Sequence, residues 1–419
     1  MGRQIPRVVV SIVGLVLCGW LAFDAGKAGA SRIYSAAAVI SSALEPSDVA
    51  VRIRPDDPEA HYTRALVLIN LNRTAEAIAE LRIAIRLRPT HYYQWMDLGV
   101  TLDRLNDQQG AFAALTESVR RAPAFAQPRW QLGSLLFRQG NYSEAFTQLQ
   151  LAAKSNPDLF EGMLDLAWVA ADGDVAAMEK LINPQGSLNQ LALANYLARH
   201  GKGSDAIRLV RYAGDAHDEG ERALLRQTVA ALVGAKQFPE AYDVWCASHA
   251  CSNEKTTGEQ FLNGDFVEGI LQNDPGFSWQ LSSMQNVSVS IDTAGPAAGS
   301  RSLNFDFNGA SNPAAYLLYQ LIVVRPRTGY SLAFVAKSNN IVSGGQPIIT
   351  VFDASSGKSL GQSSPIATGT ADWKQYEAGF STDEHTSAIT VVLHRLSCTE
   401  SACPIFGKLW VSKFSLIKK

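Results

Sequence analysis

The feature that most constrains the fold is an internal repeat with a period of 34 residues. Prolines recur at this interval, at Pro55, Pro89, Pro123 and Pro157. Small residues keep the same period in three further columns: Ala77, Ala111 and Ala145; Ala65, Gly99 and Gly133; and Ala50, Ala84, Ser118 and Ala152. Columns that share one period indicate a single structural unit that is stacked several times.

The repeated unit has the pattern of two packed helices. Proline ends the second helix, because it lacks an N–H and its ring clashes with the preceding turn. The small residues mark the closest approach of the pair. The pattern resembles the tetratricopeptide repeat, most clearly in Trp95-x-x-Leu98-Gly99, Ala111-x-x-x-Leu115 and Pro123, and one period later in Gly133, Ala145-x-x-x-Leu149, Ala152 and Pro157.

This resemblance implies a chain of helical hairpins between residues 25 and 252. The first full unit, from His61 to Pro89, departs from the family in having Arg64-Ala65 instead of Leu-Gly. We expect a degenerate unit before it and less regular helix pairs after Pro157. The whole region is predicted to form a right-handed α-solenoid of about five to seven hairpins.

In this family, certain positions of each unit line a concave groove that binds a protein or peptide. Carried onto the matching positions, they predict a groove lined by Tyr62, Asn70, Tyr93, Asp103, Arg104, Trp130, Phe137 and Arg138. Aromatic and arginine side chains are the types that anchor interfaces. Trp130 stands one place after the family tryptophan, a rotation of about 100° that directs it toward the groove. The alternative is that Trp130 packs between helices.

The N-terminus carries an uncharged run of 16 residues, from Val8 to Phe23. As a helix it spans roughly 24 Å of a hydrocarbon core of roughly 30 Å. Arg3 and Arg7 precede it and place that end in the cytoplasm by the positive-inside bias. We predict a transmembrane signal anchor at residues 1–24, with the bulk of the chain periplasmic or otherwise extracytoplasmic.

Two other interpretations of this segment stay open. A cleaved signal peptide would use the small residues Ala28-Gly29-Ala30 and give a mature chain that starts at Ser31. A lipoprotein signal would use Cys18, but Leu17 stands where a small residue is expected. All three interpretations export the chain.

Beyond Thr256 the helical periodicity stops, and short runs rich in β-branched and aromatic residues alternate with turn-forming residues. These runs predict strands at Val287–Asp292, Leu303–Phe307, Tyr316–Val324, Tyr330–Ala336, Ile348–Asp353, Gln375–Phe380, Ala388–Arg395 and Lys408–Leu416. Strands of this number and length favour a jelly-roll β-sandwich at residues 258–419. The predicted fold class is therefore multidomain α plus β.

The sandwich region resembles the galactose-binding-like domains that are common among carbohydrate-binding modules. The resemblance lies in Asn263-Gly264-Asp265-Phe266, Gly276-Phe277-Ser278-Trp279, Tyr330–Ala336, Trp373–Tyr376 and Leu409–Leu416. It implies sugar binding through aromatic faces and a few polar side chains. The candidates are Tyr316, Tyr319, Gln320, Trp373, Tyr376, His394 and Arg395. Ser412 and Lys413 replace the acidic residues that accompany a structural calcium in the family, so we predict no metal.

The cysteines outside the apolar segment form two close pairs, Cys246 with Cys251 and Cys398 with Cys403. In an exported chain this spacing predicts two local disulfides. Four cysteines allow three connectivities, so a bridge between domains stays open.

The sequence shows no catalytic motif. It contains neither H-E-x-x-H nor G-x-S-x-G, and none of its 7 histidines has a helix-spaced ligand partner. We therefore predict a non-enzymatic chain without a cofactor. Its net charge of -2 argues against nucleic acid as a partner.

These observations predict a membrane-anchored, exported adaptor. Its solenoid would bind a protein or peptide and its sandwich a glycan, and the combination suggests a role in envelope polysaccharide export or assembly. One alternative is a purely structural protein–protein scaffold in which the sandwich caps the solenoid. A second is a carbohydrate-active enzyme that assembles carboxylates from distant strands.

Overall fold

The computed structural model describes residues 7–216, 218–249, 259–270, 276–293, 295–297, 300–398 and 403–419. In these ranges a series of helices is followed by two β-sheets, which confirms the predicted multidomain α-plus-β class. The chain divides into two compact units, Met1–Asn183 and Pro184–Lys419.

The first unit consists of five consecutive helical hairpins within the described residues. Their helices are α1 Arg7–Ser41, α2 Leu44–Ile53, α3 Pro58–Asn70, α4 Thr74–Leu87, α5 Tyr92–Arg104, α6 Gln108–Arg121, α7 Ala126–Arg138, α8 Tyr142–Ser155, α9 Leu159–Ala170 and α10 Val175–Ile182. Two more hairpins open the second unit, with α11 Gly186–Arg199, α12 Gly203–Ala213, α13 Glu219–Gly234 and α14 Phe238–His249.

The small-residue columns mark the closest approach of the two helices in a hairpin, as predicted. A Cβ atom added to Gly99 would lie 2.6 Å from Cγ of Leu115, and one added to Gly133 would lie 2.8 Å from Cγ of Leu149. Distances below 3.0 Å are essentially never seen for a real Cβ atom. Glycine at these positions therefore lets the paired helices touch.

A second column explains how each hairpin joins the preceding turn. His61, Trp95 and Arg129 stand one period apart, and each directs a side-chain nitrogen to the carbonyl oxygen of the proline six residues earlier. The nitrogen–oxygen distances are 2.9, 3.0 and 2.9 Å. The proline carbonyl lies outside a helix and needs a partner. Three different side chains thus satisfy the same backbone group.

The second unit ends in two antiparallel five-stranded sheets. Their strand orders are β1-β4-β9-β6-β7 and β2-β3-β10-β5-β8. The strands are β1 Gln280–Leu281, β2 Val287–Asp292, β3 Ser302–Ala310, β4 Leu318–Val323, β5 Gly329–Ser343, β6 Pro347–Asp353, β7 Ser359–Gln362, β8 Gly369–Ser381, β9 Ala388–Arg395 and β10 Pro404–Lys418. The predicted strands all appear, and β1 and β7 are additional because they are too short to show an alternating pattern.

The core between the sheets explains the opening motif of the sandwich. The indole N–H of Trp279 donates to the carbonyl of Asn263 over 3.1 Å, and the backbone N–H of Phe414 donates to Gly264 over 2.9 Å. A Cβ atom on Gly264 would lie 2.4 Å from the carbonyl oxygen of Phe414. The motif therefore fastens the start of the domain to its last strand, and only glycine allows the approach.

Candidate functional site

The N-terminal part of α1 is exposed and apolar. Val9–Ser41 has a mean hydropathy of 2.0 over its most apolar window, none of which is buried. Leu15 is 73% exposed and Trp20 is 61% exposed. By length and composition this helix can cross a membrane, a criterion that a signal sequence also meets.

The C-terminal part of the same helix packs against α2 and α3. A stripe of half-buried or buried residues runs along it at helical spacing: Asp24, Ala28, Ser31, Ser35 and Ala38. The hydroxyl of Ser31 donates to the carbonyl of Ala50 over 3.3 Å, and Nη1 of Arg54 lies 3.4 Å from Oδ2 of Asp24. Helix α1 thus runs unbroken through the predicted boundary at residue 24, and its packed stripe begins seven residues before Ser31.

The predicted groove tyrosines of the first two full units contact one another and two neighbouring carboxylates. The Tyr62 hydroxyl donates to Oδ2 of Asp97 over 2.6 Å, and the Tyr93 hydroxyl lies 3.4 Å from Oε2 of Glu59. The rings of Tyr62 and Tyr93 are 4.9 Å apart between centroids. Burial raises the pKa of Asp97, although the hydrogen bond from Tyr62 opposes the rise. These pairs join consecutive units across the helices α3 and α5.

The C-terminal ends of the same helices carry charge. Nη2 of Arg138 lies 2.5 Å from Oδ2 of Asp103, which joins α7 to α5. Arg104 and Asn70 are exposed, one and two periods before Arg138. This edge therefore presents a cation and an amide to solvent beside an ion pair, an arrangement that can bind acidic or polar groups of a peptide.

Trp130 and Phe137 lie partly buried on α7. A Cβ atom added to Gly162 of α9 would lie 3.1 Å from Cη2 of Trp130, so the indole packs against that glycine. This is the alternative orientation considered from the sequence, between helices. The ring of Phe137 lies 5.3 Å from that of Tyr142 and 6.4 Å from that of Phe146.

A buried ionic cluster in the first full unit was missed by sequence reasoning. Nδ1 of His61 lies 2.6 Å from Oε2 of Glu80, whose other oxygen lies 2.5 Å from Arg64. Arg64 also contacts Asp48 over 2.7 Å. The hydrogen bond to Glu80 raises the pKa of His61. Burial opposes the charge of Glu80, but His61 and Arg64 outweigh it and lower its pKa.

Three of the predicted sugar-binding residues lie inside the sandwich, which corrects their assignment. The side-chain amide of Gln320 is fully buried and binds the backbone N–H and carbonyl of Leu262 over 3.3 and 3.0 Å. Tyr376 is buried with its ring 5.5 Å from that of Phe334. Arg395 is buried and donates to backbone and hydroxyl oxygens. Their polar groups are occupied by the fold and cannot reach a ligand.

Tyr316, Tyr319 and His394 form an aromatic cluster with Phe352. The ring of Tyr316 lies 5.9 Å from that of Tyr319 and 6.2 Å from that of Phe352, and Tyr316 is 41% exposed. Nε2 of His394 lies 2.8 Å from the Thr350 hydroxyl. Burial lowers the pKa of His394, which favours its neutral form.

Trp373 lies apart from this cluster, on the sheet β2-β3-β10-β5-β8. It lines a cavity of about 320 Å³ together with Asp292, Lys337, Ser338, Asn339, Thr370 and Trp410. Trp410 is paired in register with Asn304 on one side and with Lys337 on the other, and its indole N–H donates to Asp292 over 3.0 Å. Among the described residues, the buried Oγ of Ser338 and Oδ1 of Asn304 have no hydrogen-bond partner.

A second cavity in the same compact unit has a volume of about 680 Å³. Tyr242, Trp245 and His249 of α14 line it together with the loop residues Asp265 and Glu268. The hydroxyl of Tyr242 is buried and has no partner within the described ranges. Aromatic walls and carboxylates at the rim suit an uncharged polar or cationic ligand.

The structure brings Cys398 and Cys403 together as a bonded pair with Cα atoms 5.7 Å apart. The other predicted bridge is Cys246–Cys251. It involves Cys251, a residue outside the described ranges. Over the part of the chain that is described, no group of three or more His, Cys, Asp or Glu side chains is placed to hold a metal ion.

The repeat segment matches a family model in sequence. Residues 19–92, 62–125 and 96–160 each match the tetratricopeptide repeat. The matches begin inside α1 and end after α8, and together they establish that the hairpins of this segment are tetratricopeptide repeats. No curated protein matches the chain.

The solved structures that are similar to parts of the chain include the following three. MamA from Desulfovibrio magneticus RS-1, solved from residue 41 to its end, has 23% identity over 38% of this chain and 94% of its own, with a TM-score of 0.33. YrrB, described as a TPR protein with an unusual peptide-binding site, has 20% identity over 39% and 87%, with a TM-score of 0.31. A structure described as "CBM4 structure and function" has 9% identity over 38% and 99%, with a TM-score of 0.28.

Proposed function

We propose that this chain is a membrane-anchored adaptor whose repeats bind a protein segment. The observation that carries the proposal is the unbroken helix α1, which is exposed and apolar up to Phe23 and becomes the first helix of the repeat array from Asp24 onward. Repeats of this type present extended binding surfaces and act as protein-interaction scaffolds. The packed stripe on α1 supports an uncleaved anchor, because cleavage after Ala30 would remove Asp24 and Ala28 from the first hairpin.

The proposed orientation has the N-terminus in the cytoplasm and the repeats and sandwich in the periplasm. Arg3 and Arg7 before the apolar run support it through the positive-inside bias. The bonded pair Cys398–Cys403 agrees with an oxidising compartment.

The partner proposed for the repeats is an extended peptide or a protein loop. Tyr62 and Tyr93 provide aromatic surface on α3 and α5, and Arg104 provides an exposed cation at the other end of α5. Arg104→Glu should weaken partner capture about tenfold, because an interface charge is reversed. Arg82→Glu on α4 serves as a matched exposed control.

The anchor is tested on membranes of the native organism. The full chain should stay in the membrane pellet after extraction at alkaline pH. Its repeats should be protected from added protease in intact cells and degraded in spheroplasts. A chain that is recovered in the soluble fraction, with an N-terminus at Ser31, would contradict the anchor.

A second role, glycan binding by the sandwich, is favoured by one observation. Trp373 and Trp410 line one cavity on the sheet β2-β3-β10-β5-β8, together with polar groups and the unpartnered hydroxyl of Ser338. Indole faces bind sugar rings by stacking, and the polar groups are of the kind that bind hydroxyls. We propose envelope polysaccharide as the ligand and its export or assembly as the process.

Affinity electrophoresis of the full chain against envelope polysaccharides tests this role. Trp410→Ala and Trp373→Ala should each weaken retention about tenfold, as expected for the loss of an aromatic contact. Tyr316→Ala is the matched control, since Tyr316 belongs to the separate aromatic cluster. Equal retention by all variants would favour the purely structural scaffold, and turnover of the glycan would favour an enzyme.

A further inference from the structure

The structure fixes where the first hairpin stands relative to the end of the apolar helix. Helix α1 continues from Arg7 to Ser41 without a turn. No flexible linker therefore separates the exposed apolar part from the part that packs on α2. The depth at which α1 lies in a bilayer therefore also sets the position of the first hairpin.

The length of the apolar run sets that depth. A hydrocarbon core of about 30 Å requires about 20 helical residues. The uncharged run supplies 16, from Val8 to Phe23, and a span that starts at Val8 therefore ends at about Lys27. Nζ of Lys27 lies 5.0 Å from the ring centroid of Phe23, and a lysine at this level can extend its ammonium group to the headgroups.

The turn between α2 and α3 lies at the same level as Asp24. Nη1 of Arg54 is 3.4 Å from Oδ2 of Asp24 and 3.5 Å from its carbonyl oxygen. Nε of Arg54 is 3.5 Å from Oδ1 of Asp56, which lies two residues later in the same turn. Arg54 thus contacts both carboxylates, and it holds the turn beside α1 within one helical turn of the end of the span.

We propose that a surface made of Lys27 and the α2–α3 turn, residues 52–57, rests on the lipid headgroups of the outer leaflet. Lys27 and Arg52 are exposed cations, of the kind that suits the phosphate groups of that layer. Of the carboxylates at this surface, those of Asp24 and Asp56 are within reach of Arg54. That of Asp57 accepts a hydrogen bond from the backbone N–H of Glu59 over 3.0 Å, so each has a partner in the fold. This inference rests on the proposed anchor, since a cleaved chain has no span.

The repeat provides a matched pair of probe sites for a test. Asp56 lies in the turn after α2, and Asp158 lies in the equivalent turn after α8, three periods later. The full chain carries Cys18→Ala and either Asp56→Cys or Asp158→Cys, and is labelled with a fluorescent maleimide without reduction. It is then reconstituted into vesicles of phosphatidylethanolamine and phosphatidylglycerol, about three to one, with or without lipids that carry a quencher on the headgroup.

The label at position 56 should be quenched about twofold more than the label at position 158, because the headgroup layer is only about 5–10 Å deep. Arg52→Cys provides a second probe of the same surface if Asp56→Cys disturbs the fold by circular dichroism. The parent with Cys18→Ala alone reports labelling of the native cysteines. Equal quenching at both turns in a chain that floats with the vesicles would overturn the inference and leave the anchor intact. A chain that does not float overturns the anchor as well.

A second variant tests whether the unbroken helix α1 is what holds the α2–α3 turn against the headgroups. A flexible Gly-Ser-Gly-Ser insertion between Phe23 and Asp24 keeps the apolar run but interrupts the helix. Quenching at position 56 should fall to the level at position 158 while flotation is unchanged. Undiminished quenching would show that the hairpin reaches the bilayer without the rigid connection, which contradicts the role given to α1.

Discussion

The first full unit, α3–α4, and the second, α5–α6, fill the same position with different chemistry. His61 and Trp95 occupy equivalent sites, and each contacts the carbonyl oxygen of the proline before its helix. Nineteen residues after each of them, the second helix supplies Glu80 in the first unit and Ala114 in the second. The imidazole thus meets a carboxylate, whereas the position nineteen residues after the indole carries only a methyl group.

The difference shows what the repeat fixes and what it leaves free. The backbone fixes the site and the hydrogen bond to the proline, whereas the residue nineteen positions later must match the side chain that arrives there. Arg129 and Gln148 confirm the rule in the third unit, where Nη1 lies 3.0 Å from Oε1. Of these three units, only the first has a buried ion pair at this position, so only there does this position depend on charge.

The largest expected effect comes from removing the carboxylate of the first unit. Glu80→Ala leaves His61 and Arg64 without their common partner and should lower the stability of α3–α4 by about 3 kcal/mol. Hydrogen exchange of the backbone amides measures this loss, with α5–α6 as an internal reference. Glu76→Ala is the control, because its pair with Arg73 is exposed and should contribute little to stability. Equal losses from both variants would refute the role of burial.

The second unit should respond next most strongly, through packing and a cation–π contact with α6 rather than through a buried ion pair. Trp95→Ala removes a ring that packs in the repeat core and lies 4.4 Å from the guanidinium of Arg121. We expect the free energy of opening of α5–α6, measured by hydrogen exchange, to fall by about 2 kcal/mol. Trp95→Phe keeps the ring but loses the N–H to Pro89, and should cost about 1 kcal/mol. A larger loss from Trp95→Phe than from Trp95→Ala would contradict this division.

Most of the repeat architecture could be predicted from the sequence, because proline and small residues act locally. Pro89 and Gly99 report a helix end and a close helix contact without knowledge of any partner. The sandwich strands were equally visible, since Ile348–Asp353 and Ala388–Arg395 contain the β-branched runs of buried strands. The strands β1 and β7 were missed, as two and four residues cannot display a period.

The site was harder to predict, because the role of a polar residue depends on its neighbours in space. Gln320 and Arg395 have the composition of a sugar site, yet both are buried and bind the backbone. Trp410 was read only as part of the closing strand, although it lies beside Trp373. His61 and Glu80 are separated by 19 residues, and their pairing could have been inferred by comparing that spacing with Arg129 and Gln148.

A smaller effect is expected at the contact between the two helices of a hairpin. The first unit carries Ala65 where the second carries Gly99, so only the second relies on the missing Cβ atom. Gly99→Ala should destabilise α5–α6 by about 1 kcal/mol, because overpacking against Leu115 exceeds the gain in helix propensity. Ala65→Gly should also destabilise its own unit by about 1 kcal/mol, through backbone entropy and the loss of a buried methyl group. Stabilisation by Gly99→Ala would mean that Leu115 adjusts freely.

The smallest expected difference between the two units is in how their stability depends on pH. The hydrogen bond to Glu80 raises the pKa of His61 in the folded chain. The contribution of His61 to stability is therefore complete below its pKa in the unfolded chain, about 6.5, and is lost as the pH rises through its higher pKa in the folded chain. The lowered pKa of Glu80 means that the same pair weakens again as the pH falls through that lower value. Protection of α3–α4 should therefore decrease between neutral and alkaline pH.

Exchange in α5–α6 provides the reference for this decrease at the shared position, because Trp95 and Ala114 do not titrate, whereas Asp97 on α5, whose pKa burial raises, lies outside that position. Moving the histidine–glutamate pair into the second unit tests the comparison directly. Trp95→His combined with Ala114→Glu should give the second unit the pH dependence of the first, since the backbone already places both positions at the right distance. If the double variant folds and its protection stays constant between neutral and alkaline pH, the dependence belongs to Arg64 and Asp48 around the first pair rather than to the histidine–glutamate contact itself.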